Sequence, residues 1–165
     1  MMRIRKVLMA IGGLLPQKLQ MFFYRSAGMT VGSKVVIRKG FYSDMPNMIS
    51  IGNNSLLNCF CRVYFGVNNH ATVNIGNNVF IGPNVTILCV THEIGDEKQR
   101  AGKSIHKSVV IEDGVWIDAN ATILPGVTIS RGSVIGANSV VLKSTSPNCL
   151  YVGIPASKKR DLSTI

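Results

Sequence analysis

The sequence predicts an all-β solenoid, a column of short strands joined at regular corners, and three observations predict it. Aliphatic residues recur every six positions without a break at Ile111, Ile117, Ile123, Ile129, Ile135 and Val141. The same frame appears at Ile75, Ile81 and Ile87, at Ile51, Leu57 and Val63, and more weakly at Val31 and Ile37. Three residues after these starts stands Asn or Gly, at Asn54, Asn78, Asn84, Gly114, Asn120, Gly126, Gly132 and Asn138. The next position is small or β-branched at Val79, Val85, Val115, Ala121, Val127, Ser133 and Ser139. Finally, the 165 residues are 46% hydrophobic and 16% charged, which excludes a mostly disordered chain and fits one folded unit. Gly and Asn tolerate a positive φ angle, so the chain bends at each sixth residue. One hexapeptide cannot bury its aliphatic side chain, whereas stacked units line those side chains up as an interior ladder. Three strands per turn make a triangular prism.

The elements follow in chain order. Residues 1–30 form a leader: MMRIRK, then the apolar run VLMAIGGLL that ends at Pro16. That run is too short to span a bilayer, which needs about 20 apolar residues, and no small-x-small cleavage site follows it closely. Val7, Ile11, Leu15, Leu19 and Phe22 recur at three to four residues, predicting one or two amphipathic helices within residues 4–24, interrupted around Gly12, Gly13 and Pro16. The leader either caps the domain or, with Arg3, Arg5, Lys6 and Lys18, lies on a membrane surface. Residues 31–157 carry the repeat, interrupted by a loop over 91–108, and residues 158–165 form a basic tail. Ile87 and Ile111 are 24 residues apart, a multiple of six, yet THEIGDEKQRAGKSIHKS between them has neither the ladder nor the corners. An excursion of this length from a regular scaffold points to function.

Lys and Arg outnumber Asp and Glu by 18 to 8, a net charge of +10 that calls for an anionic partner. Nucleic acid has only that charge in its favour, with no RNA or DNA motif and no interleaved aromatics. Cys59, Cys61, Cys89 and Cys149 contain no CxxC pair and no metal-ligand array, so packed, reduced thiols are expected and no metal.

The chain resembles the hexapeptide-repeat acyltransferase superfamily, on the segments IGNNVFIGPNVTI (75–87), VVIEDGVWIDANATILPGVTISRGSVIGANSVVLK (109–143) and GIPA (153–156). These motifs are specific, and the resemblance covers about three quarters of the chain. It implies a left-handed parallel β-helix, assembly as a homotrimer with active sites between subunits, and acetyl transfer from acetyl-CoA to a hydroxyl. The sense of the coil comes from the resemblance alone, since periodicity says nothing about hand.

In galactoside and maltose O-acetyltransferases the loop after a similar PNVTI strand carries the catalytic histidine. Here the matching residue is His92, within Cys89-Val90-Thr91-His92-Glu93. A neutral imidazole suits the task of taking the hydroxyl proton as the oxygen attacks a thioester. His106, in the same loop, is the fallback, and His70 reads as a surface residue. By context Asn58 matches an acceptor-contacting Asn, its amide able to donate to and accept from a sugar; the corresponding acidic residue farther along has no counterpart, since Asn68 and Asn69 stand there. The resemblance puts Ala119 and Ala137 along the pantetheine arm of coenzyme A. Lys143 and Arg160 then lie near its phosphates or adenine, with Lys158 and Lys159 close by. Trp116 flanks the cofactor channel or packs between subunits.

Gamma-class carbonic anhydrases share the β-helix but need zinc-binding histidines at a spacing that His70, His92 and His106 lack. A non-catalytic solenoid has no use for a polar loop bearing a histidine. The short basic leader followed by SAGMTVGSKVVI looks most like acetyltransferases of surface polysaccharide assembly. A glycan acceptor therefore ranks ahead of a xenobiotic or small sugar, and a cytoplasmic enzyme with peripheral contact to the inner membrane is the expected setting.

Overall fold

In the computed structural model, residues 2–12, 15–67 and 70–162 are described. Two helices, α1 (Met2–Gly12) and α2 (Gln17–Ser26), precede a three-sided parallel β-helix. The first face stacks Thr30–Val31, Ile49–Ile51, Val73–Ile75, Val109–Ile111 and Thr128–Ile129. The second stacks Val36–Ile37, Leu56–Leu57, Phe80–Ile81, Trp116–Ile117, Val134–Ile135 and Cys149–Gly153. The third stacks Tyr42–Ser43, Arg62–Tyr64, Thr86–Leu88, Thr122–Ile123 and Val140–Val141.

Each corner forms where the residue pattern places it. All eight Asn and Gly positions of the repeat have positive φ, from 55° at Asn78 to 86° at Gly126. The same phase continues at Lys34, Gly40, Phe60 and Gly66, two of which carry side chains that give no hint of a left-handed residue. Inside the corners, Ile37, Leu57, Ile81, Ile117 and Ile135 of the second face are all at most 2% exposed, so the ladder is a dry core running the length of the prism.

The coil length is not uniform, and the irregularity is confined to one corner. Val110 pairs with Thr128, 18 residues on, the length of a plain coil. Asn74 pairs with Val110 at a distance of 36, Ser50 with Asn74 at 24, and Thr30 with Ser50 at 20. The surplus residues of three successive coils all lie where the third face returns to the first, in the segments 44–48, 65–72 and 89–108. The longest is an ordered antiparallel hairpin, Val90–Ile94 against Ala101–His106, and not an irregular loop. The expected tail at 158–165 is likewise corrected: through Asp161 it belongs to the strand Ala156–Asp161, which pairs antiparallel with Cys149–Gly153 and satisfies the backbone groups at that end of the second face. Residues 163–165 lie outside the described residues.

The leader is helical and broken where the sequence predicts, but it turns a different face to the prism. Met9, Met21, Tyr24 and Ala27 join the core, and the buried Gln20 amide donates to the Tyr24 hydroxyl at 3.1 Å. Val7, Ile11, Leu19 and Phe22, the stripe that marks the helices in the sequence, stay exposed together with Ile4. Both helices carry two apolar faces, and the prism end takes the one rich in Met and Tyr. No helix among the described residues is long and apolar enough to cross a membrane.

Candidate active site

His92 projects from the first strand of the hairpin and is exposed. Its Cα partner across the ladder is Ser104, whose hydroxyl lies 3.4 Å from His92 Nε2. That long contact leaves the imidazole loosely engaged and open to solvent. Sequence reasoning missed Ser104; only the hairpin register brings it opposite His92.

The base of the hairpin is held far more firmly. Cys89 N–H donates to the Tyr64 carbonyl at 2.8 Å and Lys107 N–H to the Cys89 carbonyl at 2.9 Å. His106, half-buried, places Nδ1 3.0 Å from the Phe65 carbonyl. A carbonyl only accepts, so Nδ1 carries the proton. Below it, Asp44 accepts the Phe65 N–H on Oδ1 at 2.9 Å and the Gly66 N–H on Oδ2 at 3.0 Å. Gly66 has φ +76°, and a Cβ there would stand 3.2 Å from Val90 Cγ2 and 3.3 Å from His106 Cε1. The three insertions thus form one brace, Asp44 to the Phe65–Gly66 turn to His106, with His92 cantilevered beyond it. This gives His106 a supporting place, whereas His70 is exposed on the surface. Asp44 carries a sequence signal, being the first acidic residue after eight basic ones, and Gly66 falls three residues after Val63 in the repeat phase.

Asn58 lies elsewhere, at the corner between the second and third faces. Its Oδ1 accepts the Cys59 N–H at 2.8 Å, leaving the amide N–H groups free to donate. Arg38, Asn58, Gly82, Asp118 and Gly136 follow paired strands and occupy equivalent positions in successive coils. One residue on, Ala119 and Ala137 stand one above the other, linked by Asn138 N–H to the Ala119 carbonyl at 2.9 Å. Two methyl groups make this corner sterically bare, while the Ala119 N–H is taken up by Asp118 Oδ1 at 2.7 Å. Trp116 lies on the second face, 45% exposed and pointing outward.

Lys143, Lys159 and Arg160 are exposed at the carboxy-terminal end of the prism. Lys158 is engaged: its Nζ meets Asp161 Oδ1 at 2.7 Å, the one side-chain ion pair among the described residues. The Asp161 hydrogen bond raises the Lys158 pKa, and Lys158 in turn lowers that of Asp161. Asn68 and Asn69 lie outside the described residues. The four cysteines are free thiols; burial pushes Cys61 and Cys89 up to about 12.

Within one chain, then, the histidine and the other site residues occupy different corners. A site using His92 together with Asn58 or the Ala119–Ala137 corner has to form between copies of the chain or by wide movement of the hairpin.

Comparison with known proteins places this geometry. Residues 108–143 match the bacterial transferase hexapeptide (six repeats) family. Nodulation protein L of Rhizobium meliloti is 38% identical over 81% of this chain and 71% of its own length. Galactoside O-acetyltransferase of Escherichia coli K12 is 35% identical over 81% of this chain and 64% of its own. A hexapeptide-repeat acetyltransferase from Vibrio cholerae, solved in complex with acetyl-coenzyme A, superimposes with a TM-score of 0.85 at 29% identity, covering 98% of this chain and 89% of that one. Among curated relatives that the chain matches, it spans 44%, 54% and 64% of the length of three.

Proposed function

The chain belongs to the hexapeptide-repeat acyltransferase superfamily, with its left-handed parallel β-helix, and from that footing we propose that it is an acetyl-CoA-dependent O-acetyltransferase acting on a sugar hydroxyl in surface polysaccharide biosynthesis. The observation that carries the reading is His92, exposed on an ordered hairpin whose base is braced against three coils while its ring is held only by a long contact to Ser104.

His92 acts as the general base. Neutral imidazole takes the acceptor hydroxyl proton as the oxygen attacks the thioester carbonyl; the C–O bond forms, the C–S bond breaks, and the proton passes from imidazolium to the departing sulfur. The donor supplies the activated acetyl group. Ala119 and Ala137 offer the bare corner for its pantetheine arm, and Lys143, Lys159 and Arg160, which have no ion-pair partner among the described residues, the cations for its phosphates. Lys158 contributes less directly, since Asp161 already holds its ammonium. The enzyme works as a homotrimer, which brings His92 of one copy to the Asn58 and Ala119 corner of the next. The stripe Ile4, Val7, Ile11, Leu19 and Phe22 faces outward on a leader with five basic and no acidic residues. It supports peripheral contact with an anionic cytoplasmic membrane face, where lipid-linked glycans are presented.

Replacing His92 by Ala lowers kcat by about 10²- to 10⁴-fold and leaves coenzyme A affinity nearly unchanged. Turnover is followed as thiol release with nucleotide sugars, oligosaccharides and antibiotic acceptors, and binding by calorimetry. Near-normal turnover overturns the assignment of the base.

A further inference from the structure

At the amino-terminal end of the prism, Val36, Ile37, Arg38, Lys39 and Cys59 line an open groove of about 440 Å³. We propose that this groove binds the phosphate of a phosphorylated glycan, with Arg38 and Lys39 meeting the phosphate oxygens and Asn58 and Phe60 meeting the adjoining sugar. The inference rests on the reading of Asn58 as an acceptor residue and adds the chemical class of the acceptor.

Register sets these groups side by side. Ile37 pairs with Leu57, so Arg38 and Asn58 are neighbours on adjacent coils, about 4.8 Å apart along the stack. Phe60 N–H donates to the Lys39 carbonyl at 3.0 Å, which locks the next pair of corner residues together. Phe60 is left-handed at φ 62° and 44% exposed, and its ring lies across Gly40, where a Cβ would collide with it. A flat aromatic face, a free amide and two cations therefore share one corner.

Charge selects phosphate from the polar ligands such a corner could take. Arg38 and Lys39 are exposed, and neither has a carboxylate partner among the described residues. Residues 1–43 contain eight basic side chains and no acidic one. A neutral hexose makes no use of two unpaired cations, whereas a phosphate or diphosphate ester accepts from a guanidinium fork and an ammonium together. Nucleotide sugars and polyprenyl-diphosphate-linked sugars share this chemistry.

Cys59 supplies a reporter within the groove, because it is half-buried while Cys61, Cys89 and Cys149 are buried. Alkylation of Cys59 by iodoacetamide, followed by peptide mass, is measured with UDP-N-acetylglucosamine, with polyprenyl-diphosphate N-acetylglucosamine in micelles, and with free N-acetylglucosamine. Either phosphorylated compound at ten times its Kd slows labelling roughly tenfold, the free sugar does not, and the more protective one identifies the source. The Arg38→Gln/Lys39→Gln variant labels at the wild-type rate without ligand and loses the protection. Calorimetric titration of the same ligands reads the same loss independently of thiol reactivity. Four results overturn the proposal: no binding of either compound, protection that survives in the variant, equal protection by glucuronate, or variant-sensitive protection by coenzyme A. Protection without acetyl transfer to the bound compound leaves the phosphate site standing and removes only its role as acceptor. Where neither phosphorylated compound binds, the first of these results, continued acetylation of unphosphorylated sugars removes the phosphate site and keeps the transferase.

Discussion

A side-chain ladder climbs the corner between the first and second faces. Asn53 Oδ1 accepts the Ser33 N–H at 2.8 Å, Asn77 Oδ1 accepts the Asn53 N–H at 2.8 Å, and Asp113 Oδ1 accepts the Asn77 N–H at 2.7 Å. The Asn77 backbone N–H, and then its side-chain amide, hold the Asp113 carboxyl below its ordinary pKa. A depressed carboxyl pKa contributes stability above the ordinary carboxylate range, and that contribution is lost as pH falls through the folded value. Asp113→Ala is expected to lower Tm by a few degrees at neutral pH, with the gap to wild type closing in acid; Asp113→Asn keeps the Oδ1 acceptor and most of the Tm. Thermal scans between neutral pH and the acid range decide it, and a gap that widens in acid refutes it. At this scale the sequence is informative wherever residue type and backbone agree, as at Asn54 or Gly126. Lys34 and Phe60 adopt the same positive φ at the same place in the repeat, in step with the corners of the adjoining coils, and nothing in a Lys or Phe announces that.

The hairpin is an element whose aim depends on its root. Asp44, the Phe65–Gly66 turn and His106 fix that root through three hydrogen bonds of 2.9 to 3.0 Å. An error at the root is magnified at His92, and a displacement of about 1 Å in a reacting group can cost about 10²-fold in rate. Asp44→Ala and Gly66→Val should each reduce kcat about ten- to hundredfold, with donor binding and the far-ultraviolet spectrum of the prism unchanged. Loss of donor binding in parallel with kcat would make the brace a general stability element. The longest of the three insertions is legible in the sequence, because it lacks the repeat. The second hides: Val63 and Ile75 remain twelve apart, so the aliphatic frame continues across an insertion of one whole hexapeptide. The first leaves only a shift of phase, since Ile37 and Ile51 are fourteen apart. The leader shows the reverse problem. Its helical spacing is plain, but Met9, Met21 and Tyr24, and not the Val7–Phe22 stripe, meet the core. Periodicity identifies a helix with two apolar faces without saying which one the fold takes.

Across the whole molecule the three faces differ in what they show outward. In register up the second face stand Val36, Leu56, Phe80, Trp116, Val134 and Leu150, an unbroken apolar column in which Phe80 and Trp116 are 43% and 45% exposed. The first face offers Thr30, Ser50, Asn74, Val110 and Thr128 at the equivalent positions, mostly polar. An apolar column of that length on one face is the surface a second copy covers in the trimer proposed above. Sedimentation should give a trimer at micromolar concentration, and Phe80→Glu/Trp116→Glu should give monomers with reduced turnover. A wild-type monomer would remove the subunit-shared site.

The closing strand Ala156–Asp161 has a bearing on solubility. A stack of parallel strands ends in unpaired N–H and C=O groups, which would template another chain end to end and grow a fibre. Here the second face ends in an antiparallel strand bearing Lys158, Lys159 and Arg160, all exposed. Reversed polarity and clustered like charge both oppose continuation of the sheet. Lys159 and Arg160, proposed above to meet the donor's phosphates, would thus have a second task in keeping the solenoid finite.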